Sequence, residues 1–289
     1  MKQMLKLLPC CLVCVCANSI FAQTESAFQD DTRLLGAMDI VASVMEAGSD
    51  AASDSFQKNE LADFNDYIRS NWSNPGALAG LGAIALDPNA IVLFNEANVR
   101  AYVVTSETSQ SNGKRHNSLG FNTGDAVNLE EAQLIFPWVQ TANKYYSDPL
   151  SLKKNPRKDS DPLIRGDFVD LGLVGAGEKL NFFIANGTDK IATTVFTADA
   201  ASNPDQASHM VAFAIPDSPF ILLGYEDPYS GNNGKFNDNI FAFNIGAQNV
   251  AYLANPEPSF WLMMGAVCGL GVWLYRRPEE SGDSQDLVA

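Results

Sequence analysis

Glu226, Asp227, Asn232, Asn233, Asn237 and Asp238 fall within thirteen residues, around the run Ser230-Gly231-Asn232-Asn233-Gly234. Hard oxygen ligands on a flexible turn suit Ca2+, which takes about six to eight oxygens. The spacing differs from an EF-hand loop, whose ligands alternate and end on a Glu. Glu226, Asp227 and Asp238 are therefore the candidate metal ligands, with Ca2+ as the candidate ion. The same side chains would equally serve a hairpin turn, by accepting hydrogen bonds from its backbone. Lys235 offers a third outcome, an ammonium that neutralises the carboxylates without a metal.

His116 and His209 are the only histidines. Neither belongs to a His-Glu-x-x-His pair, so both are expected to be satisfied strand or loop residues. There is no Gly-x-Ser-x-Gly elbow and no phosphate-binding loop. Paired carboxylates for glycoside hydrolysis need a spatial separation that a sequence does not fix. Trp72, Trp138, Tyr145, Tyr146 and Tyr229 could stack on sugar rings, although aromatics in a β-sandwich mostly fill its core. No catalytic residue is assigned. The chain reads as non-enzymatic, with a glycan-binding module and a secreted glycoside hydrolase as competing readings.

The elements that would carry these residues are short. Residues 30–72 are expected to be helical, since Leu34, Met38, Val41 and Met45 recur at three- and four-residue steps. Leu61, Phe64 and Ile68 repeat the pattern after a break at Gly48-Ser49-Asp50, with Asn59 or Asp54 available as a cap. The stripe either packs on the neighbouring domain or forms a partner-binding hairpin. From Ala77 glycine and asparagine punctuate short β-rich runs. Strands are expected over 90–95, 100–105, 167–173, 179–185, 191–197, 209–215, 220–225 and 239–244, with a short helix as the alternative over 130–146. Many short strands with few helices predict a mainly β fold, an antiparallel β-sandwich of jelly-roll-like type.

All five cysteines lie near the ends, at positions 10, 11, 14, 16 and 268. Residues 23–255 therefore carry no disulfide and must rely on a hydrophobic core. They hold 15 basic against 29 acidic residues, a balance of −14. That excludes nucleic acid and anionic lipid as partners, which need a positive face. Solubility or divalent cations explain the acidity instead.

The ends read as addresses. Residues 1–22 combine Lys2 and Lys6 with an apolar run and a small residue, Ala22, and form a signal peptide cleaved after Ala22 by signal peptidase. Near the other end, residues 260–275 are apolar and uncharged, about 24 Å as a helix. Flanking Arg276 and Arg277 hold that side cytoplasmic, so the residues before Phe260 face the export side. Pro256-Glu257-Pro258 precedes the span directly. This motif, apolar helix and basic pair together resemble the PEP-CTERM sorting domain. The resemblance implies recognition by an exosortase, a membrane-embedded transpeptidase-like enzyme of bacteria that make exopolysaccharide. An acidic tail, residues 278–289, follows the basic pair, where the family usually stops.

A second resemblance covers about 89–247. Asn181-Phe182-Phe183-Ile184-Ala185-Asn186-Gly187, then Gly224-Tyr225-Glu226-Asp227, then Phe236-Asn237-Asp238 with the strand at Ile240, are similar in order to the uncharacterised domain of unknown function 4114 family. Arg115 to Phe121 resembles that family's strand-turn. Lys235 stands where the family usually has an acidic residue. The expected organisation is thus a signal peptide (1–22), a helical segment (23–76), a β-sandwich (77–249), a linker with the motif (250–259), a single transmembrane helix with its basic pair (260–277) and the acidic tail. The expected role is that of an exported, non-enzymatic surface or matrix protein, associated with exopolysaccharide.

Overall fold

The computed structural model describes residues 38–64, 82–106, 115–141, 157, 162–188, 191–226 and 236–255. Among these the fold is mainly β. Ten strands run β1 Ile84–Leu86, β2 Ala97–Ser106, β3 Arg115–Thr123, β4 Gln133–Phe136, β5 Phe168–Val174, β6 Leu180–Thr188, β7 Ile191–Thr197, β8 Met210–Ala214, β9 Phe220–Tyr225 and β10 Asn239–Asn244. They form two antiparallel sheets, one ordered β1-β8-β9-β10-β2-β5 and the other β4-β3-β6-β7. The signal peptide, the Pro256-Glu257-Pro258 motif and the apolar segment lie outside the described residues.

Alternation along each strand places the core. Val99, Ala101 and Val103 of β2, Leu223 of β9, and Phe241 and Phe243 of β10 point to one face of the six-stranded sheet. They meet Leu119, Phe121, Phe182 and Ile184 of the four-stranded sheet in one cluster. Phe136 stacks on Phe241 at 5.7 Å, and Phe182 meets Phe243 at 4.4 Å, so aromatic rings join the two sheets. In the smaller sheet the Phe183 ring lies over Gly120, its cross-strand partner. A Cβ at Gly120 would sit 2.2 Å from that ring, so this position accepts no side chain.

The intervening residues of the six-stranded sheet are apolar too. Tyr102, Val104, Phe213, Phe220, Leu222, Ile240 and Ala242 face outward and are buried. Helix α1, Ala51–Ser55, continues through a π-helical turn, Phe56–Glu60, to residue 64 and covers them. Phe56 stacks on Tyr102 at 4.0 Å and Phe64 meets Phe220 edge-on at 5.6 Å. The cap of α1 is Asp50, which accepts from the Ser53 amide at 2.7 Å in a reciprocal capping box. Asn59 and Asp54, the caps expected from the sequence, lie inside the helical run.

Residues 38–47, expected to be helical, instead form isolated bridges and bends that lead into a turn at the expected break, Gly48-Ser49-Asp50. Ile40 bridges Leu134 of β4 and Met45 bridges Phe168 of β5, which are edge strands of different sheets. The segment wraps round the open side of the sandwich. Met38 packs outside the small sheet, Val44 between the sheets, and Met45 outside the large sheet. A spacing that imitates a helical stripe thus serves three separate clusters.

Other expectations shift locally. Residues 90–95 form one bridge, Val92 with Lys179, although Ile91 and Leu93 are fully buried. Their partner segment turns at residues 175–178, which leaves no ladder to extend. Residues 133–136, within the stretch that could have been a short helix, are strand β4, and a bulge at Ile135 turns Leu134 to the outer face and Phe136 to the core. Residues 250–254, assigned to the linker, belong to a second helix, α2, Ala247–Ala254. Val250 of α2 seals the core beside β1 and β8.

Two arginines tie the wrap to the sheets. Arg100 grips Asp170 with two nitrogens, at 2.5 and 2.9 Å, and reaches Asp50 at 2.8 Å. Its guanidinium also lies 4.2 Å from the Phe168 ring centre. Arg157 pairs with Asp167, whose carboxylate also accepts from the Ile164 and Ala47 amides at 2.8 and 3.0 Å.

Phe56→Ala should destabilise the protein by about 3–5 kcal/mol, because it opens a cavity between the helix and the sheet; a denaturant midpoint checks this. A second expectation concerns acid. Burial works to raise the Asp50 carboxyl, but the Ser53 amide and hydroxyl and the Arg100 guanidinium outweigh it and hold its pKa below the ordinary 3.8. A carboxylate with a depressed folded pKa adds stability above its unfolded value and loses it as pH falls through the folded one. Unfolding measured across pH should therefore show a fall in stability below about 3.8, and Asp50→Asn should flatten part of it.

Candidate functional site

The β9–β10 hairpin positions the acidic candidates. Its ladder runs from Phe220–Asn244 to Tyr225–Asn239 without a shift, and the Asp238 amide donates to the Tyr225 carbonyl at 3.1 Å. Glu226 and Asp238 therefore stand together at the base of the loop, and both are buried. Glu226 Oε2 accepts the Phe236 amide at 2.8 Å. Phe236 has a positive φ of 50°, so this carboxylate holds the entry of an unusual turn. Asp227, the third candidate, lies outside the described residues, as do Lys235, Asn232 and Asn233. Among the described residues no three His, Cys, Asp or Glu side chains are grouped to hold a metal.

His209 lies beside this base, almost fully buried. Its Nε2 lies 2.8 Å from Asp205 Oδ2 and its Nδ1 lies 3.2 Å from the Glu226 carbonyl. The ring packs on Phe196 at 4.5 Å. Slight burial works to raise the Asp205 carboxyl, and the Ala207 amide and the His209 ring outweigh it, so its pKa is lowered. With both nitrogens engaged, His209 fastens β8 to the hairpin and to the turn at residue 205. His116 lies in β3, opposite Gly187.

The same end of the sandwich carries polar groups that the sequence reading missed. Ser106, Tyr225 and Asn239 are cross-strand neighbours on the inner face of the large sheet, and Asn117 and Asn186 are neighbours on that of the small sheet. Ser106 Oγ donates to Asn239 Oδ1 at 2.8 Å, and Asn186 Nδ2 to Asn117 Oδ1 at 2.6 Å. Among the described residues the buried Tyr225 hydroxyl has no hydrogen-bond partner, and burial pushes its pKa well above the ordinary value. The signal was available: on β3, β6 and β10 the inward alternation of apolar residues ends on Asn.

Beside the β3–β4 turn and the start of β8 lies a cleft of about 570 Å³. Asp125, Lys179, Asn181, Asp199 and Leu129 surround a floor of Phe182. Lys179 Nζ donates to the Asp125 carbonyl at 2.7 Å, and Asn181 Nδ2 to the Gly124 carbonyl at 2.8 Å. Of the aromatics that could stack on sugars, Trp138 is buried, and Trp72, Tyr145, Tyr146 and Tyr229 lie outside the described residues.

Set against protein-family models, curated proteins and solved structures, the chain matches none. Among the described residues no helix is long and apolar enough to cross a membrane.

The hairpin generates a direct test for Ca2+. An ion bound only by the folded state would stabilise it by about 2.7 kcal/mol at one hundred times its dissociation constant. Calorimetry with calcium and with a chelator should then give separated melting temperatures, and Asp238→Asn should close the gap. Coincident curves would leave Glu226 and Asp238 as turn-forming residues.

Proposed function

We propose that the chain is an exported, non-enzymatic protein of the cell surface or extracellular matrix, delivered by a signal peptide ending at Ala22 and processed at its other end by an exosortase-type enzyme. The observation that carries this reading is the order of the C-terminal signals. Helix α2 ends at Ala254, and Pro256-Glu257-Pro258, the apolar run 260–275, and Arg276-Arg277 then follow in turn. A sorting motif must be reachable by a membrane-embedded enzyme, and here it starts two residues beyond the last helix of the body. The apolar run serves as a transient transmembrane helix, with the basic pair on the cytoplasmic side.

The body suits such a role. It is a two-sheet sandwich, which we read as jelly-roll-like, and it needs no disulfide because its aromatic core is large. Its charge of −14 over 23–255 keeps it soluble outside the cell. Exopolysaccharide is the proposed surrounding. A glycan-binding role is the second reading, favoured by the cleft beside Lys179 and Asn181, whose volume falls within the range of about 300–1,000 Å³ typical of small-molecule sites.

Mass spectrometry of surface material from the native host should recover a chain that begins after Ala22 and ends near Pro258. Intact protein ending at Ala289 on the outer surface would contradict the sorting reading.

A further inference from the structure

One end of the body carries two exposed aromatic rings held in a rigid frame. Phe94, 57% exposed, stacks on Tyr252 of α2, 39% exposed, with ring centres 4.7 Å apart and planes 19° apart. Asn249 of α2 accepts the Asn95 amide at 2.8 Å and donates back to the Asn95 carbonyl at 3.0 Å. Asn95 Nδ2 donates in turn to Gln248 at 3.0 Å. These bonds clamp the loop holding Phe94 to the helix holding Tyr252, so the pair is presented at little further entropic cost.

The surroundings select a partner. Helix α2, Ala247–Ala254, has no charged residue, in a chain whose net charge is −15. Glu96 and Glu178, both exposed, flank the loop that holds Phe94, and exposed Asp217 stands in the β8–β9 turn at the same end, so an anionic surface is repelled and an uncharged one is left. Strand β10 runs from the acidic hairpin towards α2, so the aromatic pair and the carboxylates occupy opposite ends of the sheet. The chain leaves α2 at Asn255 and reaches Phe260, the start of the apolar run, after at most about 18 Å of extended backbone. The Tyr252 ring, apolar with one polar edge, favours the membrane–water interface, and Phe94 adds apolar area beside it.

We infer that Phe94 and Tyr252 seat the body on the surface of the bilayer, at an uncharged lipid headgroup layer, while the C-terminal segment is still inserted. This rests on the anchoring proposed above. Docking holds the body upright, with the acidic hairpin facing away from the membrane, and keeps the Pro256-Glu257-Pro258 motif at the interface where its processing enzyme acts.

The test uses the full chain reconstituted in phosphatidylcholine vesicles, with a photocrosslinking amino acid placed singly at position 94, 252, 206 or 270. Gln206 is an exposed control near the acidic end, and Leu270 lies inside the apolar run. Lipid adducts at 94, 252 and 270 with none at 206 are expected. Adducts at 270 without any at 94 or 252 would overturn the docking and leave the anchoring intact. No lipid adduct at any position would overturn both. Protein–protein adducts in place of lipid at 94 and 252 would overturn the proposal in favour of self-association. Phe94→Ser with Tyr252→Ser should abolish the lipid adduct formed from position 251, and an undiminished adduct would contradict a role for the rings.

Discussion

The six-stranded sheet is apolar on both faces, and this constraint organises the rest of the molecule. All six residues of β9 are buried, as are the first five of β10. A strand of that kind cannot present one face to water, so the sheet needs two covers. The four-stranded sheet supplies one through Phe136, Phe182 and Ile184. The helical run 51–64 supplies the other, setting Phe56 and Phe64 on Tyr102 and Phe220. Both covers are interleaved with the sheet in the chain: the helical run precedes β1, while β3 and β4 follow β2, and β6 and β7 follow β5. The connections that bring them there follow from the same need.

The segment before α1 shows how. To reach the outer face of the large sheet, the chain must come round an open side of the sandwich, and residues 38–50 make that crossing. They pair briefly with β4 and β5 and so cover two edges that would otherwise be free to pair elsewhere. Arg100 and the buried Asp167 fix the position of the wrap. Burial raises the Asp167 carboxyl, and the Arg157 guanidinium together with the Ile164 and Ala47 amides works to hold it charged. Buried ion pairs add little net stability, but breaking one partner is strongly destabilising, so such a pair acts as a register pin. Asp50 serves twice, as the cap of α1 and as a ligand of Arg100.

β-rich runs bounded by turn residues were legible in the sequence. The expected limits of β7, β9 and β10 coincide with those observed. Legibility failed where a short segment serves several layers. Met38, Val41 and Met45 have helical spacing, yet each meets a different part of the fold. Strand β1 has three residues, Ile84–Leu86, and leaves too few positions to show a period. Of the candidate site, the sequence identified Glu226 and Asp238 as neighbours and offered a turn-holding role beside the metal one, and Glu226 does accept the Phe236 amide of the turn. The inward-facing Asn117, Asn186 and Asn239 went unnoticed because asparagine near a loop reads as a turn residue. The inward alternation of their strands places them inside the sandwich, and cross-strand register sets them side by side.

Two ends with different chemistry emerge from this architecture, an acidic hairpin over a polar interior and an uncharged helix with exposed aromatics where the chain continues to its C-terminal signals. Both depend on the doubly covered sheet, because β9 and β10 run from one end to the other. The central claim is that residues 38–64 are part of the same cooperative unit as that sheet, and are not a separable partner-binding hairpin. Native-state hydrogen exchange resolved by peptide, in increasing denaturant, tests it most directly. Amides of residues 51–64 should lose protection together with those of β2 and β10, at one common opening free energy. Exchange of 51–64 at a much lower free energy, with β2 and β10 still protected, would contradict the account.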